Sequence, residues 1–336
     1  MTQASSSPQS IIDKASAFYD SCVLFTASDL GVFAYLAEHP DSDVARLADG
    51  LALNQRGATL LLDACVALDL LTKTDGRYLN TDAAQAFLVP GAPGDLSGAI
   101  RYNRDVYAAW GKLAEFTRQG KPVEAPEIHL GQDAERTRTF VLSMHYRALG
   151  IGRAVVPMLN LADCETLLDV GGGPGTYSAL IAQANPNLRC TVLDLPDVAS
   201  IANELIAQQG LSDRVSTLPG NYRTTEFPPS QDVVHFFGVL HQESPESILS
   251  LFKKAFASLK PGGRIHVMDL MTDATHTSPK FSALFAVNMA LTTENGWVFS
   301  DDELVRWLGD AGFIDMAVQS LPAPMPHWIV AARKPE

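Results

Sequence analysis

The first third of the chain is patterned for helices. Across residues 11–37 apolar side chains recur three and four positions apart, at Phe18, Cys22, Phe25, Leu30, Phe33 and Leu36, and Gly31 marks a break between two helices. Asp41-Ser42-Asp43 offers capping oxygens before residues 44–48, and Asn54 does the same before a longer apolar-faced stretch at 59–68. Residues 70–73 and 77–80, joined across Asp75-Gly76, read as a hairpin. Three helices and a hairpin predict a winged helix. After a turn-rich break at 90–94, helical spacing returns over 96–161, with Trp110, Phe116, Phe140, Met144 and His145 on inner faces and a loop at 120–131.

Past residue 165 the period changes. Short aliphatic runs at 167–170, 190–194, 215–218, 232–237, 264–271, 314–319 and 328–332 read as strands, and helical stretches at 198–209, 246–259 and 301–311 lie among them. Lys260-Pro261-Gly262-Gly263 is expected to end the second of these helices as a turn. Such alternation predicts a doubly wound sheet. The link between the last two strands is too short for a crossover, so they are expected to pair antiparallel. The predicted class is α/β, a Rossmann-like seven-stranded domain at 161–336, preceded by a winged-helix dimerisation domain at 1–95 and a connecting helical layer at 96–160.

One stretch carries candidate chemistry. Leu167-Leu168-Asp169-Val170 runs into Gly171-Gly172-Gly173-Pro174-Gly175, which is how a buried parallel strand hands over to a helix at a nucleotide pocket. Asp194 ends the next strand, close to the spacing of about 20 residues at which an acid accepts hydrogen bonds from a ribose diol. Glycines at 171, 173 and 175 give G-x-G-x-G, whereas the dinucleotide pattern asks for Gly or Ala at 176, where Thr176 stands. That spacing favours a nucleoside with an amino-acid tail, S-adenosylmethionine (SAM), over NAD(P). A purely structural glycine turn is the plain alternative.

Composition narrows the partners. A net charge of −13 over 336 residues gives no long-range attraction to nucleic acid or an anionic membrane, which argues against a DNA-binding use of the winged helix. Arg56, Lys73 and Arg77 in the would-be DNA face are offset by Asp63, Asp69, Asp75 and Asp82. Four scattered cysteines without zinc spacing, no secretion leader at the start and no apolar run of about 18 residues lead to the expectation of a cytoplasmic chain with no metal and no membrane span. The apolar stripe of Phe18, Phe25 and Phe33 exceeds what a small unit buries, which supports a homodimer.

The motifs Leu167 through Gly175, Asp194-Leu195-Pro196, Gly238-Val239-Leu240-His241 and Leu259-Lys260-Pro261-Gly262-Gly263, with residues 24–33 at the front, resemble the caffeic-acid and hydroxyindole type of small-molecule O-methyltransferases, bacterial members included. The resemblance spans nearly the whole chain. It implies SAM as donor, S-adenosylhomocysteine (SAH) as product, a small phenolic or enolic acceptor, His241 as general base and Asp269 as the acid holding its imidazole. It implies cofactor contacts at Asp169, Gly171, Gly173, Gly175, Asp194, Leu195, Asn221, Tyr222 and Phe237, and a substrate pocket from Phe140, Met144, His145, Asn288, Met289 and Thr292. Four departures stand out: Gln242 follows His241 where the family pattern has Asp, the second family acid falls near Val298 with Glu294 the nearest carboxylate, Asn221 stands where relatives often carry an acid, and Phe237 occupies a place that is polar in many plant members. These keep C- or N-methylation, or SAM-bound chemistry without methyl transfer, open as alternatives.

Overall fold

The computed structural model describes residues 7–92, 94–124, 134–323 and 325–336, so most of the loop expected at 120–131 lies outside the described residues. The chain forms two compact units, 1–104 and 105–336. In the first, α1 (Pro8–Ser16), α2 (Phe18–Asp29) and α3 (Val32–Glu38) are followed by β1 (Ser42–Asp43), α4 (Val44–Gly50), α5 (Gln55–Ala67), β2 (Leu71–Thr74), β3 (Arg77–Asn80) and α6 (Asp82–Phe87). The break falls where the sequence puts it: Gly31 has φ 74°, a left-handed value that suits a residue without Cβ. Asp43 and Asn54 cap α4 and α5 by accepting the Arg46 and Gly57 N–H groups. The hairpin of β2 and β3 gains β1 as a third strand, in the order β1-β3-β2. Phe33 is core, packed with Leu36, Leu47, Leu62 and Tyr78, whereas Phe18 stays 50% exposed. The expected stripe therefore divides between interior and surface.

The division between the units falls inside α7 (Ser97–Trp110), which is followed by α8 (Leu113–Gln119) and α9 (Ala134–Val155). Then come β4 (Thr166–Val170), α10 (Thr176–Ala184), β5 (Arg189–Asp194), α11 (Pro196–Gln208), β6 (Val215–Pro219), β7 (Gln231–Phe237), α12 (Pro245–Ser258), β8 (Leu259–Leu270), α13 (Lys280–Thr292), α14 (Asp301–Asp310), β9 (Ile314–Ser320) and β10 (His327–Arg333). They build a seven-stranded sheet in the order β6-β5-β4-β7-β8-β10-β9, with β10 antiparallel to both neighbours. Strand order reverses between β4 and β7, the switch point beside which ligands bind in such sheets. Buried aliphatics on both sheet faces, Leu168 and Val170 on one and Leu167 and Val192 on the other, pack under the flanking helices. One expectation is corrected: residues 260–263 are not a turn ahead of the strand but a bulge within β8, whose pairing with β7 shifts between Gln231–Leu259 and Val233–Arg264. Among the described residues no single helix is long and apolar enough to cross a membrane.

Candidate active site

At the end of β4 the chain turns through Gly171 (φ 66°), Gly173 (φ 55°) and Gly175 (φ 70°) into α10. The demands at Gly171 and Gly173 differ. A Cβ on Gly171 would lie 2.6 Å from Val239 Cγ2, so close packing excludes a side chain there, while a Cβ on Gly173 would meet open space. The Gly173 N–H donates to Asp194 Oδ2 at 2.7 Å, and the Leu195 N–H donates to Asp194 Oδ1 at 2.7 Å. Burial raises the Asp194 pKa, and these two backbone donors oppose the rise. Each carboxylate oxygen keeps acceptor capacity for a further donor. Beneath the loop Asp169 is buried, with Oδ2 accepting the Ser178 hydroxyl at 2.7 Å and Oδ1 without a partner among the described residues. Burial pushes its pKa up to about 6, against the Ser178 hydrogen bond and helped by the charge of Asp194. A buried carboxylate with an idle oxygen is suited to a cationic group.

The second half of the site follows β7. After Phe237 the backbone passes Gly238 (φ 69°) into a short 3-10 turn, Leu240–Gln242, that carries His241. His241 Nδ1 lies 2.7 Å from Asp269 Oδ1 near the end of β8, and the same oxygen accepts the Leu270 N–H at 2.8 Å. A carboxylate can only accept, so the imidazole proton sits on Nδ1 and Nε2 is left with its lone pair. The His241 side chain is 16% exposed and that of Asp269 2%. Phe285 of α13 meets the imidazole edge to face at 5.2 Å, and the Trp297 N–H donates to the His241 carbonyl at 2.9 Å. The ring is therefore held from its acid, its face and its own backbone.

The other sequence-chosen residues are distributed less uniformly. Leu195 precedes α11 and packs beside Val141 and Val198; Phe140 packs on the same cluster. Phe237 is buried against Tyr177 (5.4 Å) and stacks on His235 (4.4 Å). His145 Nδ1 lies 2.7 Å from Thr176 Oγ1 at the start of α10, and burial lowers its pKa. Met144 is half-buried on the preceding residue. Asn288 Oδ1 accepts the Trp110 indole N–H at 2.8 Å, Thr292 donates to the Asn288 carbonyl at 3.0 Å, and Met289 is buried between them on α13. Asn221 is exposed and closes a local turn by accepting the Arg223 N–H at 2.9 Å. The Tyr222 hydroxyl donates to Glu243 Oε1 at 2.7 Å, away from a free role.

Sequence reasoning missed a group of polar residues. Glu243 is fully buried, and its carboxylate receives Arg223, Tyr222 and Ser247. It follows Gln242, so an acid does stand near His241, but it faces an arginine from the loop after β6. His327 opens β10 opposite Leu270, with Nδ1 buried and, among the described residues, unpartnered; burial and the charge of Arg147 push its pKa down to about 4. Arg147 on α9 sits 5.9 Å from the centre of the Phe285 ring. No period in the sequence singles out either residue.

A glycine turn at the switch point, an acid closing it and a pair made by His241 just after β7 and Asp269 near the end of β8 define a Rossmann-like α/β methyltransferase. The chain belongs to the O-methyltransferase family: the O-methyltransferase domain matches residues 119–314 and the O-methyltransferase dimerisation domain residues 12–90. It is similar to the 3-hydroxy-5-methyl-1-naphthoate 3-O-methyltransferase of Streptomyces sahachiroi, at 29% identity over 97% of this chain and 95% of the relative. It is 31% identical to the tetracenomycin polyketide synthesis 8-O-methyl transferase TcmO of Streptomyces glaucescens, covering 98% and 97%. It is 30% identical to the L-tyrosine C(3)-methyltransferase of Streptomyces lavendulae, covering 96% and 91%. Among solved structures it is similar to human N-acetylserotonin methyltransferase in complex with SAM, with a TM-score of 0.89, 27% identity and all of both chains covered.

Proposed function

We propose that this methyltransferase moves a methyl group from SAM to a hydroxyl of a small aromatic or polycyclic metabolite, with His241 as general base. The observation that carries this reading is the 2.7 Å contact of His241 Nδ1 with Asp269, which aims the basic Nε2 away from the acid and stabilises the imidazolium formed when the hydroxyl proton arrives. A phenol of pKa near 10 yields its proton to an imidazole near 6.5 only with such support. The residues of the glycine turn suit the donor: Gly173 leaves room for a nucleoside, Asp194 has acceptor capacity for ribose hydroxyls, and the idle oxygen of Asp169 suits a cationic amino group. Bound there, SAM supplies an electrophilic methyl on sulfur. With SAM held by the glycine turn, the acceptor oxygen would take its methyl and SAH would leave with the carbon–sulfur electron pair, while His241 Nε2 would take the hydroxyl proton. The SAM-complexed human relative and the hydroxyl-directed naphthoate and tetracenomycin enzymes support donor and acceptor class. The dimerisation domain supports a homodimer.

The test is His241→Ala in the full chain. Turnover of a phenolic acceptor is expected to fall about 100-fold or more, with SAM affinity unchanged. Unaltered turnover would remove His241 from the reaction. A second reading, methylation at carbon or nitrogen, is favoured by the similarity to the tyrosine C(3) enzyme and by the burial of Val298 where the second family acid is expected. The position of label in the product after incubation with methyl-labelled SAM decides between them.

A further inference from the structure

Arg147 is a half-buried cation with no assigned task. Its guanidinium lies 5.9 Å from the centre of the Phe285 ring, which also stacks on Phe281 at 6.4 Å and meets the His241 imidazole at 5.2 Å. The candidate base and the cation thus share one aromatic plate. Three other arginines of this unit pair with carboxylates, Arg223 with Glu243, Arg264 with Asp163 and Arg333 with Asp315, Arg214 donates to the Ala182 carbonyl, and Arg153 and Arg306 are exposed to water. Among the described residues no carboxylate pairs with Arg147, in a chain that carries 38 acidic side chains. Nearby, two buried polar atoms lack partners: Asp269 Oδ2, and His327 Nδ1 on the adjoining strand, where Trp328 is paired with Asp269. Guanidinium stays charged at any working pH and presents a planar fork of N–H donors that matches a carboxylate.

We propose that Arg147 anchors a carboxylate of the methyl acceptor, so that the acceptor is an aromatic hydroxy acid whose hydroxyl lies at His241. The inference rests on the reading of His241 as the base. The ring system of such an acid packs on Phe285, which bridges the two polar contacts. The overall charge of −13 repels anions at long range, so selection of an acid requires a local cation of this kind. Arg147 is a specificity-determining residue in this scheme and takes no proton.

The test uses the full chain and a panel of hydroxynaphthoates differing in the spacing of hydroxyl and carboxylate, each with its methyl ester. Affinity is read by calorimetry with and without SAH, and kcat and KM are read with SAM. In the wild type the best acid is expected to bind about 10- to 100-fold more tightly than its ester, the strength of a charge-assisted hydrogen bond. Arg147→Met, which keeps an unbranched apolar side chain at this position, is expected to erase the preference through KM for the acid. Affinity for the ester and for SAH should not move, and Arg147→Lys should restore part of the preference. Equal binding of acids and esters by the wild type would overturn the proposal, as would a preference that survives in Arg147→Met or an equal loss on acid and ester. Absence of heat with SAH would instead overturn the methyl-donor reading, while acid binding measured without SAH still decides the anchor.

Discussion

Asp169 shows how a single buried carboxylate can be costly to the fold. Its folded pKa of about 6 lies above the ordinary carboxyl value of 3.8 because burial penalises the charge. The stability linked to its protonated form is present below about pH 4 and is lost as pH rises through about 6. At pH 7 an idle, ionised carboxylate therefore weighs against folding. Asp169→Asn, which can still accept the Ser178 hydroxyl, is expected to stabilise the ligand-free protein by about 1–2 kcal/mol at pH 7, with the gain vanishing near pH 4. The same change should weaken SAM binding about 10-fold. Urea unfolding at the two pH values and calorimetry with SAM check the pair of outcomes; a variant that binds SAM as tightly as the wild type would mean that the idle oxygen has no ligand partner.

At the scale of elements, the turn between β4 and α10 uses its glycines for two different reasons. Gly171 combines a positive φ with Val239 packed where a Cβ would go, so Gly171→Ala is expected to cost about 2 kcal/mol or more and to disturb the whole turn. Gly173 has a positive φ but open space. Gly173→Ala should therefore cost only about 1–2 kcal/mol of backbone strain, yet lower SAM affinity more than 10-fold by filling the cradle. Denaturant titration separates the two variants by stability and calorimetry by binding. If Gly173→Ala bound SAM normally, the open side of the turn would not be the nucleoside site. Caps explain why two helices were readable in advance, since Asp43 and Asn54 each accept the N–H three residues on; at α14 the structure adds a capping box of Ser300 and Glu303. The extra break at Ala17 and the bulge in β8 were not readable, because an alanine carries no break signal and a Pro-Gly-Gly run looks alike in a turn and in a bulge.

For the whole molecule, the exposed apolar side chains of unit one point to self-association. Ile11 (65%), Ile12 (58%), Phe18 (50%) and Tyr19 (60%) lie on α1 and the start of α2, a cluster that water does not favour. Most of it falls within the matched dimerisation domain. Wild-type protein at micromolar concentration is expected to run at twice the chain mass of 36.2 kDa in light scattering, and Phe18→Arg with Tyr19→Arg to shift it toward one chain. A monomeric wild type would leave these side chains without a partner surface of this kind.

What the sequence determined by itself was whatever depends on neighbours along the chain. Period, caps and glycines set the order of the elements, the switch-point turn and the reversed last strand, since each follows from local backbone geometry. The His241–Asp269 pair was named from resemblance, and its 2.7 Å contact exists because β7 and β8 are adjacent strands. Only the tertiary structure decided which charges meet. Arg223 neutralises Glu243, Arg147 faces Phe285 without a carboxylate, and His327 lies on the strand beside Asp269. Those outcomes depend on sheet order and helix placement between residues far apart in the chain, and a charged side chain on a helix face reads the same whether it meets water or a site.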